Sequence, residues 1–273
     1  MLTLLKKLAR GIGLCWHYGL QKQKVDMAYR GDFAAYVAVG ILYSVIQLFF
    51  LWALLRQIPD IAGWDFPSVV LIYGFGQLSF GYFAMFFFEF AVRFSDFYII
   101  EGNLDRPLLR PLSPLFQLVM ENLNFRDIIV VLKGWAIVIW ALSNLEPPVA
   151  LTPWAFIMAN LLAVIGAVVY AGAFLTVASL SYWVKDRVGF TSPLFSISEA
   201  SRYPLTIYNP AVQVFFSFVI PFGYCAFYPA TYFTDPAAWS GWLVLSPFVA
   251  AGIFIVGTLV FYRGLRTYES TGS

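Results

Sequence analysis

Histidine, cysteine and charged residues are all scarce in this chain of 273 residues. One His and two Cys are too few for a zinc centre or a disulfide framework, so we expect neither. Charged residues make up 12% of the chain, about half the share of a soluble domain. The net charge of +2 is too small to indicate a nucleic-acid partner.

Sequence motifs of self-contained enzymes and motors are also missing. There is no H-E-x-x-H, no G-x-S-x-G and no phosphate-binding G-x-x-x-x-G-K-[ST] loop. The single histidine, His17, lies outside the long apolar stretches. We therefore predict that the chain is not an enzyme and hydrolyses no ATP itself.

Apolar residues are abundant instead. They make up 60% of the chain, and aromatic residues alone make up 19%. A soluble fold of this length cannot hide so much apolar surface, because its surface area does not fall below the limit set by its size. Lipid must therefore be the solvent for most of the chain.

Six apolar stretches predict an all-α membrane protein with its transmembrane domain at residues 31–265. A span needs roughly 20 apolar residues in a helix, which bonds all of its own backbone groups. The predicted spans are residues 33–55, 68–92, 128–145, 153–183, 210–227 and 241–262. Prolines follow helix-capping residues at Thr152-Pro153, Asn209-Pro210 and Asp235-Pro236, whereas Pro221 interrupts the fifth span and Pro247 falls inside the sixth.

Basic residues predict the orientation. Sixteen of the 17 Lys and Arg residues fall on one side of the predicted spans, and Arg56 is the exception. Since basic residues are enriched in cytoplasmic loops, both termini are expected in the cytoplasm, with residues 266–273 as a short tail.

Residues 1–30 predict an interfacial amphipathic helix and a connector. Leu5, Leu8, Ile12 and Trp16 share one helical face, and basic residues lie towards the other. Such a helix rests its apolar face in the acyl boundary and its cations among headgroups.

The loop after the second span, starting at Arg93, is the main candidate functional segment. Gly102-Asn103 predicts a turn, and Pro107, Pro111 and Pro114 permit only short helices. A short charged helix here would suit docking to a soluble partner, and a solvated loop with incidental ion pairs is an equally good interpretation of the residues alone. The candidate docking residues are Glu101, Gly102, Asn103, Leu104, Asp105, Arg106, Pro107, Leu109 and Arg110.

A second cytoplasmic loop, residues 184–204, predicts a smaller contact. It contains Lys185, Asp186 and Arg187, and Ser192 is a candidate cap for a short helix.

Polar groups inside the spans are few. Glu89 and Arg93 are spaced to form an ion pair on one helix face, and Lys133 is expected to extend to the interface. No buried carboxylate is placed to relay protons. A stripe of small residues predicts close helix packing on span four: Ala163, Ala167 and Ala171.

The aromatic stretch after Pro221 predicts a re-entrant or interfacial segment on the outer side. Gly223, Pro229 and Pro236 break it, so a continuous span is not expected. Its backbone must then be covered by protein.

Three segments resemble the compact permeases of the ABC-2 family: residues 101–117, residues 203–210 and Tyr228-Pro229-Ala230. The resemblance extends over roughly residues 20–265. It implies the half of a type V exporter, with a coupling helix at 101–111 and an outer re-entrant segment. It also implies two ATPase subunits that carry ATP and magnesium, a second permease that is identical or related, and a bacterial cytoplasmic (inner) membrane. The expected cargo is hydrophobic or amphipathic.

Other functions stay open on the residues alone. An ion-coupled secondary transporter would be expected to show inverted repeats and a polar site at the membrane midplane, and neither is evident. A non-catalytic membrane scaffold is harder to separate from a permease, because an absence of catalytic motifs is typical of it as well.

Overall fold

The computed structural model describes residues 30–58, 60–184 and 191–269. The predicted interfacial helix, and the second docking group of Lys185, Asp186 and Arg187, lie outside these ranges. Within them the chain contains helices and no β-strand, as an all-α fold requires.

We number the helices of the described ranges in chain order. They are α1 (Arg30–Leu55), α2 (Phe66–Ile100), α3 (Asp105–Leu108), α4 (Pro114–Glu121), α5 (Ile128–Asn144), α6 (Pro153–Ser179), α7 (Thr191–Ala200), α8 (Pro210–Val219), α9 (Phe227–Thr234) and α10 (Pro236–Leu265). Short 3-10 turns lie at Phe125–Asp127, Leu180–Tyr182, Leu205–Ile207 and Phe222–Cys225.

In the part of the chain that the structure describes, four helices are long and apolar enough to cross a membrane: Gly31–Leu55, Phe66–Ile100, Pro153–Tyr182 and Gly241–Leu265. They correspond to the first, second, fourth and sixth predicted spans. The third prediction corresponds to α5, whose 17 residues reach about 26 Å. The fifth predicted span, residues 210–227, was too long, because the helix that begins at Pro210 ends at Val219.

α2 corrects the predicted start of the first cytoplasmic loop. The helix does not end near residue 92 but continues through π-helical turns to Ile100. The helix continues past Arg93 because the residues that follow it are packed. The Arg93 guanidinium lies 4.3 Å from the Phe97 ring centre, and Phe94 and Tyr98 are buried. The loop therefore begins after Ile100. The residues between Arg93 and Ile100 include no proline or glycine that would end the helix earlier.

Capping side chains fix several helix starts. The Thr152 hydroxyl accepts a hydrogen bond from the Ala155 amide at 3.2 Å, and Asn209 accepts one from the Val212 amide at 3.0 Å. Both caps confirm the interpretation of the Thr-Pro and Asn-Pro pairs. Ser192 does not cap α7, because the helix already includes Thr191 before it.

α2 and α6 form the buried centre of the structure. α2 packs against α5 and α6, and α6 packs against α10. The α6–α10 contact is close at Gly172, where an added Cβ would lie 2.6 Å from the Phe254 backbone nitrogen. α1 and α10 bury few of their apolar side chains, and their outer faces are surfaces suited to lipid or to another chain.

The segment after Pro221 is covered by protein. Phe222, Tyr224 and Phe227 have no exposed surface. The Ser79 hydroxyl of α2 donates to the Cys225 carbonyl at 2.8 Å, which satisfies one of the backbone groups that the broken helix leaves free. The backbone is thus covered as a re-entrant segment needs, while its depth in a bilayer stays a prediction.

Candidate functional site

The loop between α2 and α4 starts at a glycine-dependent turn. Gly102 has a φ of +74°, a conformation that strongly favours glycine. The Asn103 side-chain amide then donates to the Phe97 carbonyl at 3.0 Å, and the Leu104 amide donates to the Tyr98 carbonyl at 3.2 Å. These bonds fold the loop back against the end of α2 and place the four-residue helix α3 at its tip.

The predicted docking residues divide into an inner and an outer set. Gly102, Leu104 and Pro107 are buried, whereas Asn103 and Asp105 are half-buried. Glu101, Arg106, Leu109 and Arg110 are exposed. The inner residues therefore build the loop, and only the outer set is available to a partner.

Three leucines form an exposed apolar surface on this loop, which we call the leucine patch: Leu108, Leu109 and Leu112. Leu109 is 88% exposed, more than any other large apolar side chain of the described residues. Single exposed leucines are ordinary, but three within five residues on a polar loop indicate a contact surface.

Arginines border the leucine patch. Arg106 is exposed, and the Arg110 guanidinium lies 2.5 Å from the Glu121 carboxylate on α4. Protein interfaces commonly have this arrangement, with an apolar centre and a charged rim that sets register.

The loop is held from beneath by Gln117 of α4. Its side-chain nitrogen donates to the Pro107 carbonyl at 3.1 Å and to the Leu112 carbonyl at 3.0 Å. Because Gln117 is itself buried, the two ends of the leucine patch are fixed to a packed helix.

The end of α10 also contacts the loop. The Ser113 and Tyr262 hydroxyl groups are hydrogen-bonded at 2.8 Å. Beyond α10, burial and the neighbouring Asp105 carboxylate raise the pKa of Tyr268 to about 12. The hydroxyl of Tyr268 therefore stays protonated at neutral pH.

The other predicted residues lie apart from the leucine patch. In α2, an Arg93 guanidinium nitrogen lies 3.9 Å from the Glu89 carboxylate, with both side chains partly exposed. Ala163, Ala167 and Ala171 are buried in α6. Lys133 is half-buried, and its ammonium donates to the Gly40 carbonyl of α1 at 3.0 Å.

Sequence reasoning missed Leu108, Leu112, Gln117 and Glu121. Prolines divide this stretch into pieces too short to show a helical period, so burial could not be read from spacing. The one available signal was the run of leucines between Pro107 and Pro114, which is unusual in a solvated loop.

The described residues of this loop form an exposed apolar surface with charged edges. The described ranges contain no group of three His, Cys, Asp or Glu residues that could hold a metal ion. What the loop can supply is a rigid apolar contact with charged edges.

The sequence matches the model of a known protein family. The family described as ABC-2 family transporter protein matches residues 41–272. No curated protein and no solved structure matches. The family match covers most of the sequence and agrees with four helices able to cross a membrane, and the chain therefore belongs to the ABC-2 family of transporter proteins.

Proposed function

We propose that this multi-pass membrane protein is the permease half of an exporter, and that an ATPase subunit docks on its leucine patch. Membership of the ABC-2 family implies an ATP-binding partner in general. In the proposed assembly, two ATPase subunits carry ATP and magnesium. A second permease chain, identical or related, completes the pathway for a hydrophobic or amphipathic cargo.

The leucine patch is the observation that carries this proposal. Burying a leucine side chain contributes roughly 1.5–3 kcal/mol. The 88% exposed Leu109 therefore has most of that stabilisation still to gain from a partner. A fixed loop also loses little conformational entropy on binding, since its backbone is already bonded to Gln117 and to the end of α2.

The contacts of the loop support a mechanical role. A force on the leucine patch would reach α2 through the Leu104–Tyr98 bond and α10 through the Ser113–Tyr262 bond. α2 is the helix around which α5 and α6 pack. Movement of a docked ATPase would in this way act on the centre of the transmembrane domain.

The basic residues support a place in a bacterial inner membrane with both termini cytoplasmic. In this orientation the leucine patch faces the cytoplasm, where ATP is available. In this orientation α5 forms one further span beside the four long helices, and α8 together with the buried segment at residues 222–231 forms the remaining crossing.

Co-purification of the full-length tagged chain from its own host tests the proposal. We expect the wild-type protein to retain an ATP-binding subunit that contains a G-x-x-x-x-G-K-[ST] loop. Leu109→Asp should abolish this retention. Leu151→Asp is the matched control, because Leu151 is also an exposed leucine in a loop but lies in the predicted outer connection between α5 and α6.

Two results would contradict the proposal. One is that no such subunit is retained by the wild-type chain in mild detergent, as a scaffold without a motor would behave. The other is equal retention by the Leu109→Asp and wild-type chains.

A further inference from the structure

A cavity of about 430 Å³ lies away from the leucine patch, between α1, α2, α5 and α7. Lys133 and Arg202 line it together with Gln77 and Glu199. The rest of its wall is mainly apolar and aromatic, including Phe80 and Phe195. Its volume is in the range of sites that bind small molecules.

A second cavity of about 360 Å³ adjoins the first, since Ile41 and Lys133 line both. Its wall is almost wholly apolar and includes Val70, Ala136 and Trp140. From Lys133 to Trp140 the groove follows α5 for about 10 Å. One end of the combined space is therefore polar, and the other is apolar.

The polar end has an uncompensated positive charge. Arg202 is 6% exposed, and one of its guanidinium nitrogens lies 3.7 Å from the Glu199 carboxylate. Within the described ranges, no carboxylate lies within ion-pair distance of Lys133, whose ammonium is bonded only to the Gly40 carbonyl. One ion pair and one further cation leave a net charge of +1 at this end.

Arg202 also has hydrogen-bonding capacity to spare. Its buried Nε has no hydrogen-bond partner among the described residues. Gly76 of α2 makes room for the side chain, since a Cβ there would lie 2.9 Å from the Arg202 Cγ. A buried cation that lines a cavity is an arrangement that an anion satisfies.

We propose that these two cavities form a binding site for an anionic membrane lipid. Its headgroup lies between Lys133 and Arg202, and one acyl chain occupies the groove towards Trp140. An acyl chain fits where a peptide does not, because a helix with its side chains is about 10–12 Å wide and an extended peptide would leave backbone groups unbonded. The predicted orientation places the headgroup end near the cytoplasmic leaflet, which is rich in anionic lipid.

The mostly exposed α1 forms one wall, so lipid can reach the groove from the side. Such binding requires no ATPase. A test of lipid binding is thus independent of whether an ATPase docks at the leucine patch.

Native mass spectrometry of the full chain in a neutral detergent tests the site, with phosphatidylglycerol and phosphatidylcholine as probes. We expect the wild-type chain to bind phosphatidylglycerol more tightly than phosphatidylcholine. Lys133→Gln should weaken phosphatidylglycerol binding by about tenfold or more, the loss that accompanies one charge-assisted hydrogen bond. Lys133→Arg should keep the preference, and Arg263→Gln, which removes an exposed charge at the end of α10, should leave it unchanged.

Ala136→Phe tests the acyl groove, because the new ring would fill it. Leu132→Phe is the matched control, since Leu132 is exposed on α5 and does not line either cavity. We expect Ala136→Phe to weaken binding of both lipids and Leu132→Phe to weaken neither. Excess inorganic phosphate should not displace the bound lipid.

Equal binding of the two lipids by the wild-type chain would overturn the proposal. So would an unchanged preference in a folded Lys133→Gln variant, unchanged binding in a folded Ala136→Phe variant, or full displacement by phosphate. If Lys133→Gln fails to fold, loss of the preference in Lys133→Met supports the charge contact, and its retention overturns it. Gel filtration and thermal unfolding of each variant show which chains are folded.

Discussion

Gln117→Leu tests whether α4 holds the leucine patch rigid. The substitution keeps a side chain of similar size and removes both hydrogen bonds to the loop, at Pro107 and at Leu112. The core of α4 should tolerate it, since Gln117 is buried and its side-chain oxygen has no partner among the described residues. The effect should therefore be confined to the loop.

The magnitude follows from the two lost bonds. A neutral hydrogen bond contributes about 0.5–1.5 kcal/mol, so the pair contributes about 1–3 kcal/mol to the closed loop. The Pro107 carbonyl keeps a second donor, the Arg110 amide at 3.3 Å, which limits the loss there. A change of 1–3 kcal/mol raises the population of the open loop by about 5- to 150-fold.

Hydrogen–deuterium exchange measures this population. We expect faster exchange at the amides of residues 108–112 in Gln117→Leu, with little change in α5 or α6. Gln213→Leu is the matched control, because the Gln213 side chain also donates to a backbone carbonyl, that of Tyr208 at 2.8 Å. It should speed exchange near Tyr208 and leave residues 108–112 as they are.

Unchanged exchange at residues 108–112 in Gln117→Leu would refute the reasoning, provided that the control loosens its own segment. In that case another contact holds the leucine patch. The Gln117→Leu chain would then also retain as much of the ATPase subunit as the wild-type chain does in co-purification.

Three further predictions concern the fold and the rim of the patch. Gly172→Ala should lower the free energy of unfolding by about 1–3 kcal/mol, because the added Cβ would meet the backbone of α10. Gly252→Ala is the control and should not lower it, since nothing lies within 4 Å of a Cβ there. Denaturation in mixed micelles compares the two variants. Thr152→Ala should cost about 0.5–2 kcal/mol in the same assay through loss of the α6 cap, and an unchanged value would contradict that role. Glu121→Gln should lower the free energy of unfolding by no more than about 1 kcal/mol, since the ion pair of Glu121 with Arg110 is partly exposed. A larger decrease would contradict this and show that the pair stabilises the loop.

Composition and turn residues predicted the helical architecture well, for simple reasons. Lipid demands long apolar helices, so four of the predicted spans could be found by length alone. Thr152 and Asn209 revealed helix starts because capping is a local interaction between neighbouring residues. The end of α2 was missed because its extension to Ile100 depends on burial of Phe94 and Tyr98 by other helices.

The candidate site was predictable in position and only partly in composition. Gly102 and the three prolines marked the loop, since turns depend on local residue types. Which residues face outward depends on Gln117 and on the end of α10, which are brought there by the fold. The pairing of Lys133 and Arg202 around one cavity joins residues about 70 positions apart, and no spacing rule links them.

Photo-crosslinking at the tip of the leucine patch tests the central claim most directly. A p-benzoylphenylalanine residue at position 109 would be irradiated in membranes from the native host, with position 151 as the control. We expect a crosslink to an ATP-binding subunit from position 109 and none from position 151. Absence of that product from position 109, while the subunit still co-purifies with the chain, would contradict docking at the leucine patch.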